Sequence, residues 1–139
     1  MGSTPTAAIM MNYMQKLKEF HKAFGHHIEE KPTSKVPDKV AILRIRLIHE
    51  ELDELHDAMD DEDIVKIADG LADLLYVVFG TAVSYGMPMD EIFDIVHRYN
   101  MSKLGPDGKP LVDAGGKSIK PDGWTPPDNE IRNLLKSKL

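Results

Sequence analysis

Between Asp38 and Gly86 the chain reads DKVAILRIRLIHEELDELHDAMDDEDIVKIADGLADLLYVVFGTAVSYG. Apolar residues recur at helical spacing through its first half, at Ala41, Ile45, Ile48, Leu52, Leu55 and Met59, which predicts a helix over 38–59. The run Asp60-Asp61-Glu62-Asp63 then reads as a solvated turn that also suits the positive end of a following helix. From Asp63 to Tyr85 the chain is apolar around most of its circumference, with Gly86 and Pro88 as stop signals, so a second long helix buried on several sides is expected. Its longest apolar run, Leu71 to Val83, contains Asp73 and falls short of the ~20 residues of a membrane span, which reads as a core helix.

Outward from this pair, Met14, Leu17, Phe20 and Phe24 predict a helix over 12–24, stopped by Gly25. Residues 26–38 carry Pro32 and Pro37 among polar residues and read as a loop. Asp90 is a suitable N-cap for a helix to Lys103, with Ile92, Phe93, Val96 and Tyr99 facing inward. Turn signals fill 104–127, and Pro126-Pro127-Asp128 introduces a short amphipathic helix bearing Ile131, Leu134 and Leu135. The expectation is an all-α fold: a four-helix bundle with an irregular C-terminal arm and a short terminal helix, completed by oligomerisation as a homodimer or homotetramer. The domain reading is a single domain over 1–139, divided into a leader at 1–11, a helical core at 12–103 and an arm at 104–139. Met1-Gly2-Ser3-Thr4-Pro5-Thr6 matches a myristoylation pattern in form but reads as leader, and no secretory signal is visible.

A composition of 42% hydrophobic and 29% charged residues implies a folded globular chain. The net charge of −6 lacks the positive excess that draws proteins to nucleic-acid polymers or anionic membranes. With no cysteine there is neither a disulfide nor a thiolate site, which fits a cytoplasmic protein.

The acidity is clustered. At ~100° per residue, Glu50, Glu51 and Glu54 share one face of the first long helix, with Asp57 near the same direction and the apolar stripe opposite. Asp69 and Asp73, at i and i+4, share a face of the second helix amid apolar neighbours, where an ionised carboxylate costs several kcal/mol unless paired. Two antiparallel helices joined by a short turn can bring all five together. Such a set repels itself unless cations sit between its members, and hard oxygen ligands without cysteine select Mg²⁺, with Mn²⁺ as a substitute.

With Glu50-Glu51-Leu52-Asp53-Glu54 followed by Ala68-Asp69-Gly70-Leu71-Ala72-Asp73-Leu74-Leu75-Tyr76, the chain resembles the all-α nucleoside triphosphate pyrophosphohydrolases, the MazG-like and phosphoribosyl-ATP pyrophosphohydrolase superfamily. The resemblance implies that Glu50, Glu51, Glu54 and Asp73 ligate metal. Gly70 stands where the family has a second-motif glutamate, and Asp69 faces the right way to substitute. Through the segments 97–103 and 117–127 the chain is similar to small phage-type and deoxyuridine-triphosphate-cleaving members. In that resemblance Asn100 and Lys103 contact the triphosphate; Lys120 is a further substrate-binding candidate, and Trp124 reads as an anchor for the arm. Phe20, His21 and Phe24 are candidates for a base pocket, with Phe20 and Phe24 read as core residues first.

The implied activity is hydrolysis of a nucleoside triphosphate to monophosphate and pyrophosphate, with metal-activated water attacking the α-phosphorus and Glu51 as proton acceptor. Phosphoribosyl-ATP is the alternative substrate. Two other classes compete: a non-enzymatic helical binding protein, and a di-iron bundle suggested by Asp53 with His56 and Asp94 with His97.

Overall fold

The computed structural model describes residues 12–139, so the proposed leader lies outside the described residues. Five helices occupy this span: α1 Tyr13–Phe24, α2 Asp38–Asp60, α3 Ile64–Ser84, α4 Met89–Met101 and α5 Asp128–Ser137. The fold is all-α, as expected. The residues divide into two compact units that meet at Met87 and Pro88.

In the N-terminal unit α3 packs against α1 and, more extensively, α2. Asn12 caps α1 reciprocally with Gln15: the Gln15 amide donates to Asn12 Oδ1 at 2.8 Å, and the Asn12 amide to Gln15 Oε1 at 2.9 Å. Such a box satisfies donors that a helix start otherwise leaves open. Met14, Leu17 and His21 form the buried face of α1, and Gly25 ends the helix in the left-handed region at φ 71°. Asp63 caps α3, its Oδ1 accepting from the Val65 and Lys66 amides at 3.1 Å, so the acidic turn does serve the following helix. The 26–37 loop folds back over the end of α3, where the Glu29 amide donates to Val83 O and the Thr33 amide to Tyr85 O.

The core is small: Met14, Leu17, Leu55, Ala58, Ala82 and Val83 are its buried apolar members in this unit. Burying a side chain the size of leucine contributes about 1.5–3 kcal/mol. Several inward assignments are corrected. Phe24 is 67% exposed whereas His21 is 1% exposed, its Nδ1 satisfied by the His27 carbonyl at 3.0 Å. Ile45, Leu52 and Met59 lie along an uncovered line of α2, while Arg44, Leu55 and Ala58 occupy its buried side. Rather than being buried on several sides, α3 exposes Ile64, Val65, Leu71, Leu75, Tyr76 and Val78, since two neighbouring helices cannot cover its whole circumference. At 21 residues and a mean hydropathy of 1.5, α3 is also long and apolar enough to cross a bilayer, unlike the shorter run read from sequence. It carries Asp73 at mid-length and Asp69 one turn earlier, and an aspartate at a bilayer centre costs about 2.5–3.5 kcal/mol.

In the C-terminal unit α4 and α5 are joined by a segment of turns. Pro88 precedes α4, so Asp90 lies in its first turn rather than at the cap. Ile95 is buried and Phe93 exposed, the reverse of the assignment for Phe93. Val112 and Ser118 form an antiparallel bridge, and Asp113 Oδ1 accepts from the Gly115 and Lys117 amides to close the turn between them. Arg98 pairs with Glu130 across the two helices, and the Tyr99 hydroxyl donates to the same carboxylate at 3.1 Å. The hydrogen bond from Arg98, helped by that from Tyr99 and by the Arg98 charge, holds the Glu130 carboxyl below its ordinary range.

Candidate active site

Helices α2 and α3 meet at Gly70. A Cβ there would lie 3.3 Å from Leu55 Cα and 3.4 Å from Leu55 Cδ1, so the helix surfaces touch where the sequence comparison expected a glutamate. One turn further along α3, Asp73 faces Glu51 and Glu54 of α2: one carboxylate oxygen from each of the three lies within 4.8 Å of the other two.

Glu51 Oε2 is buried and has no hydrogen-bond partner. Its carboxyl is held above the ordinary range, first by burial, then by the charges of Glu54 and Asp73, with smaller contributions from a hydrogen bond to Glu54 and the charge of Glu50. An unsatisfied buried carboxylate oxygen beside two more carboxylates is costly when all are ionised. A hard divalent cation removes that cost, and the donor set, all carboxylate oxygen, is the one Mg²⁺ and Mn²⁺ take. The residues therefore fit a divalent metal.

The other sequence-chosen ligands occupy different places. Glu50 is exposed and pairs with Arg46 at 3.7 Å, one turn back on α2. Asp69 lines a cleft of about 330 Å³ together with Glu54, Asp57, Asp61, Lys66 and Asp73. Asp57 was visible in sequence on the acidic face, but Asp61 and Lys66 were not placed there. Asp61 belongs to a run read as a turn, and only the geometry of the α2–α3 corner turns it toward the cleft. His56 forms a separate exposed group with Asp57 and Asp60, its Nε2 lying 3.8 Å from Asp60 Oδ2, and does not join Glu51. The histidine-carboxylate arrangement of a di-iron site is not assembled around the triad.

The family model for phosphoribosyl-ATP pyrophosphohydrolase matches residues 17–100, which include all three helices of the N-terminal unit from Leu17 onward and most of α4. The chain belongs to this family. A crystal structure of a candidate NTP pyrophosphohydrolase from Exiguobacterium sp. 255-15 is 27% identical, with a TM-score of 0.51 over 93% of this chain and 99% of that one. An uncharacterised protein of Acanthamoeba polyphaga mimivirus is 37% identical over 127 residues, covering 89% of this chain and 47% of that protein. The chain thus spans about half the length of the curated relative it matches.

The cations expected from the sequence to meet a phosphate chain all lie in the C-terminal unit. Lys103 Nζ donates to Asn100 Oδ1 at 2.9 Å and lies 5.2 Å from the Trp124 ring centroid. Lys120 Nζ lies 5.1 Å from the same ring, so the indole gathers two ammonium groups. Trp124 Nε1 donates to Ser102 Oγ at 2.9 Å and Tyr99 O at 3.1 Å, which fixes the ring against the end of α4. The indole therefore holds the arm to α4, the anchoring part read for it from the sequence.

Proposed function

We propose that this family member hydrolyses a nucleoside triphosphate to the nucleoside monophosphate and pyrophosphate. The observation that carries the reading is the convergence of Glu51, Glu54 and Asp73 around a buried, unpartnered Glu51 oxygen. Glu51, Glu54 and Asp73 would hold a Mg²⁺ or Mn²⁺ ion, which would supply Lewis acidity toward water and charge neutralisation for the phosphate chain, with Asp69 in the adjoining cleft and Glu50 one residue before Glu51 as further candidate carboxylates. Glu51 accepts the proton of the water that attacks the α-phosphorus. Asn100, Lys103 and Lys120 of the C-terminal unit remain the candidates for binding phosphate oxygens that the family resemblance and the charge of the residues nominate.

Phosphoribosyl-ATP is the second substrate reading, favoured by the family whose model matches residues 17–100. Both substrates undergo the same α-phosphorus chemistry. The uncovered apolar surface of α3, with Leu71 and Leu75, and the line Ile45, Leu52 and Met59 on α2 support assembly as a homodimer or homotetramer. The reading places the enzyme in the cytoplasm, where its substrates are made, and as one domain with its arm.

The test is a screen of common ribo- and deoxyribonucleoside triphosphates and phosphoribosyl-ATP with Mg²⁺ or Mn²⁺ in ¹⁸O-labelled water. The expected result is pyrophosphate release with label in the monophosphate. Label in the pyrophosphate would contradict attack at the α-phosphorus, and no turnover of any substrate would favour a non-enzymatic binding role.

A further inference from the structure

The N-terminal unit holds a second cavity, of about 410 Å³, whose lining mixes His26, His27, Lys39, Arg44 and Ser84 with Val40 and Leu43 and contains no carboxylate. Arg44 is 5% exposed. Its Nε donates to Thr81 Oγ1 at 3.2 Å and its Nη2 to Val77 O at 3.0 Å, while Nη1 has no protein partner among the described residues. No acidic side chain pairs with it among those residues. An arginine stays charged at any ordinary pH, and a buried charge without a counter-ion is expensive.

The guanidinium is nevertheless specifically seated. A Cβ on Gly80 would overlap Arg44 Nη2 and lie 3.0 Å from His21 Nε2, so only glycine leaves room for the group between α2 and α3. His26 Nδ1 is likewise buried with no hydrogen-bond partner. His27 is already engaged, its Nε2 lying 2.6 Å from Glu29 Oε2. Lys39 sits in the first turn of α2, and the residue before that helix makes no side-chain cap bond. Arg44 and Lys39 from α2 and His26 from the loop after α1 thus bring nitrogen groups from two stretches of chain to the lining of one cavity, with only one guanidinium nitrogen free. That arrangement suits a tetrahedral oxyanion, which presents acceptors in several directions, better than the planar two-nitrogen fork that a carboxylate prefers.

We propose that this cavity is an anion site for a phosphoryl group, with Arg44 as its buried cation and Lys39 and His26 completing it. It is a different site from the carboxylate cleft, which lies against Gly70 and Asp73 and is lined by five carboxylates. The group has two possible sources, free inorganic phosphate or the phosphate end of a nucleotide. Occupancy supplies the counter-charge that Arg44 lacks.

The test uses the full chain in EDTA, so that no cation recruits phosphate to the carboxylates, and follows backbone amide resonances during separate titrations with inorganic phosphate and AMP at constant ionic strength. Shifts at Lys39, Val40 and Ser84, saturating with either anion, are expected. Phosphate binding alone identifies a free-anion site, and AMP binding in addition identifies one that takes a nucleotide's phosphate end. Because Lys39 is exposed, Lys39→Glu leaves the fold intact and is expected to weaken binding about tenfold, while Glu51→Gln leaves it unchanged. The proposal is overturned if neither anion shifts these amides at millimolar concentration. It is equally overturned if Lys39→Glu binds as wild type, or if Glu51→Gln is the variant that abolishes binding.

Discussion

Gly80→Ala is expected to destabilise the protein although alanine is the better helix former. In an exposed helix the change would gain about 1 kcal/mol. Here the new Cβ overlaps Arg44 Nη2 and comes 3.3 Å from Arg44 Cζ, and the guanidinium cannot swing away without leaving Thr81 Oγ1 and Val77 O. Overpacking costs about 1–3 kcal/mol, and a hydrogen bond to a charged group contributes about 1.5–3 kcal/mol. Set against the helix gain, the expected net loss is about 2 kcal/mol, or roughly 6 °C in Tm for a chain of this size. With Arg44→Met as background the overlap is relieved and the same substitution should stabilise by about 1 kcal/mol, a coupling of about 3 kcal/mol. Urea unfolding of the four proteins in the cycle measures it. A Gly80→Ala single variant as stable as wild type, or the same change in both backgrounds, would refute the seating of Arg44 against Gly80.

The metal-free carboxylate cluster should make stability fall with pH. Glu51 is held above its ordinary value of 4.5, so the folded chain binds its proton more tightly than the unfolded chain. The contribution is fully present below 4.5 and is lost as pH rises through the raised folded value. Thermal melts in EDTA across this range should show that decline in wild type and a smaller one in Glu51→Gln, and added Mg²⁺ should restore wild type more than the variant; parallel profiles would argue against the cluster. Leu75→Glu places a charge on the uncovered face of α3 and should shift the assembly toward monomer in light scattering. An unchanged mass would remove α3 from the interface. Trp124→Ala takes away the ring beneath Lys103 and Lys120 and should raise KM more than it lowers kcat; an equal fall in both kcat and kcat/KM would place the tryptophan elsewhere in the chemistry.

The helices were legible because Gly25 and Gly86 are strong left-handed stops and 3.6-residue periodicity runs between them, whereas the capping parts of Asn12 and Asp63 emerge only in the structure. The pairing of Glu51 and Glu54 with Asp73 was legible as well, since residue spacing alone puts each set on one helix face. What periodicity does not encode is how much of a face a neighbour covers. Ile45, Leu52 and Met59 therefore read as core and lie exposed, and Arg44, in register with Ile48 and Leu55, gave no sign of burial because a charged residue reads as surface. Gly70 and Gly80 show the same limit. Each marks a contact point between helices, visible only once α2 lies against α3.

Glu51, Glu54 and Asp73 are the groups proposed to drive phosphate-chain hydrolysis, which the initial rate of pyrophosphate release by wild type and Glu51→Gln tests. Both should be assayed at saturating Mg²⁺ on the best nucleotide from the screen. Loss of a general base and metal ligand predicts a fall of about 10²–10⁴-fold with the fold intact by circular dichroism. A Glu51→Gln enzyme that releases pyrophosphate at the wild-type rate would contradict the account.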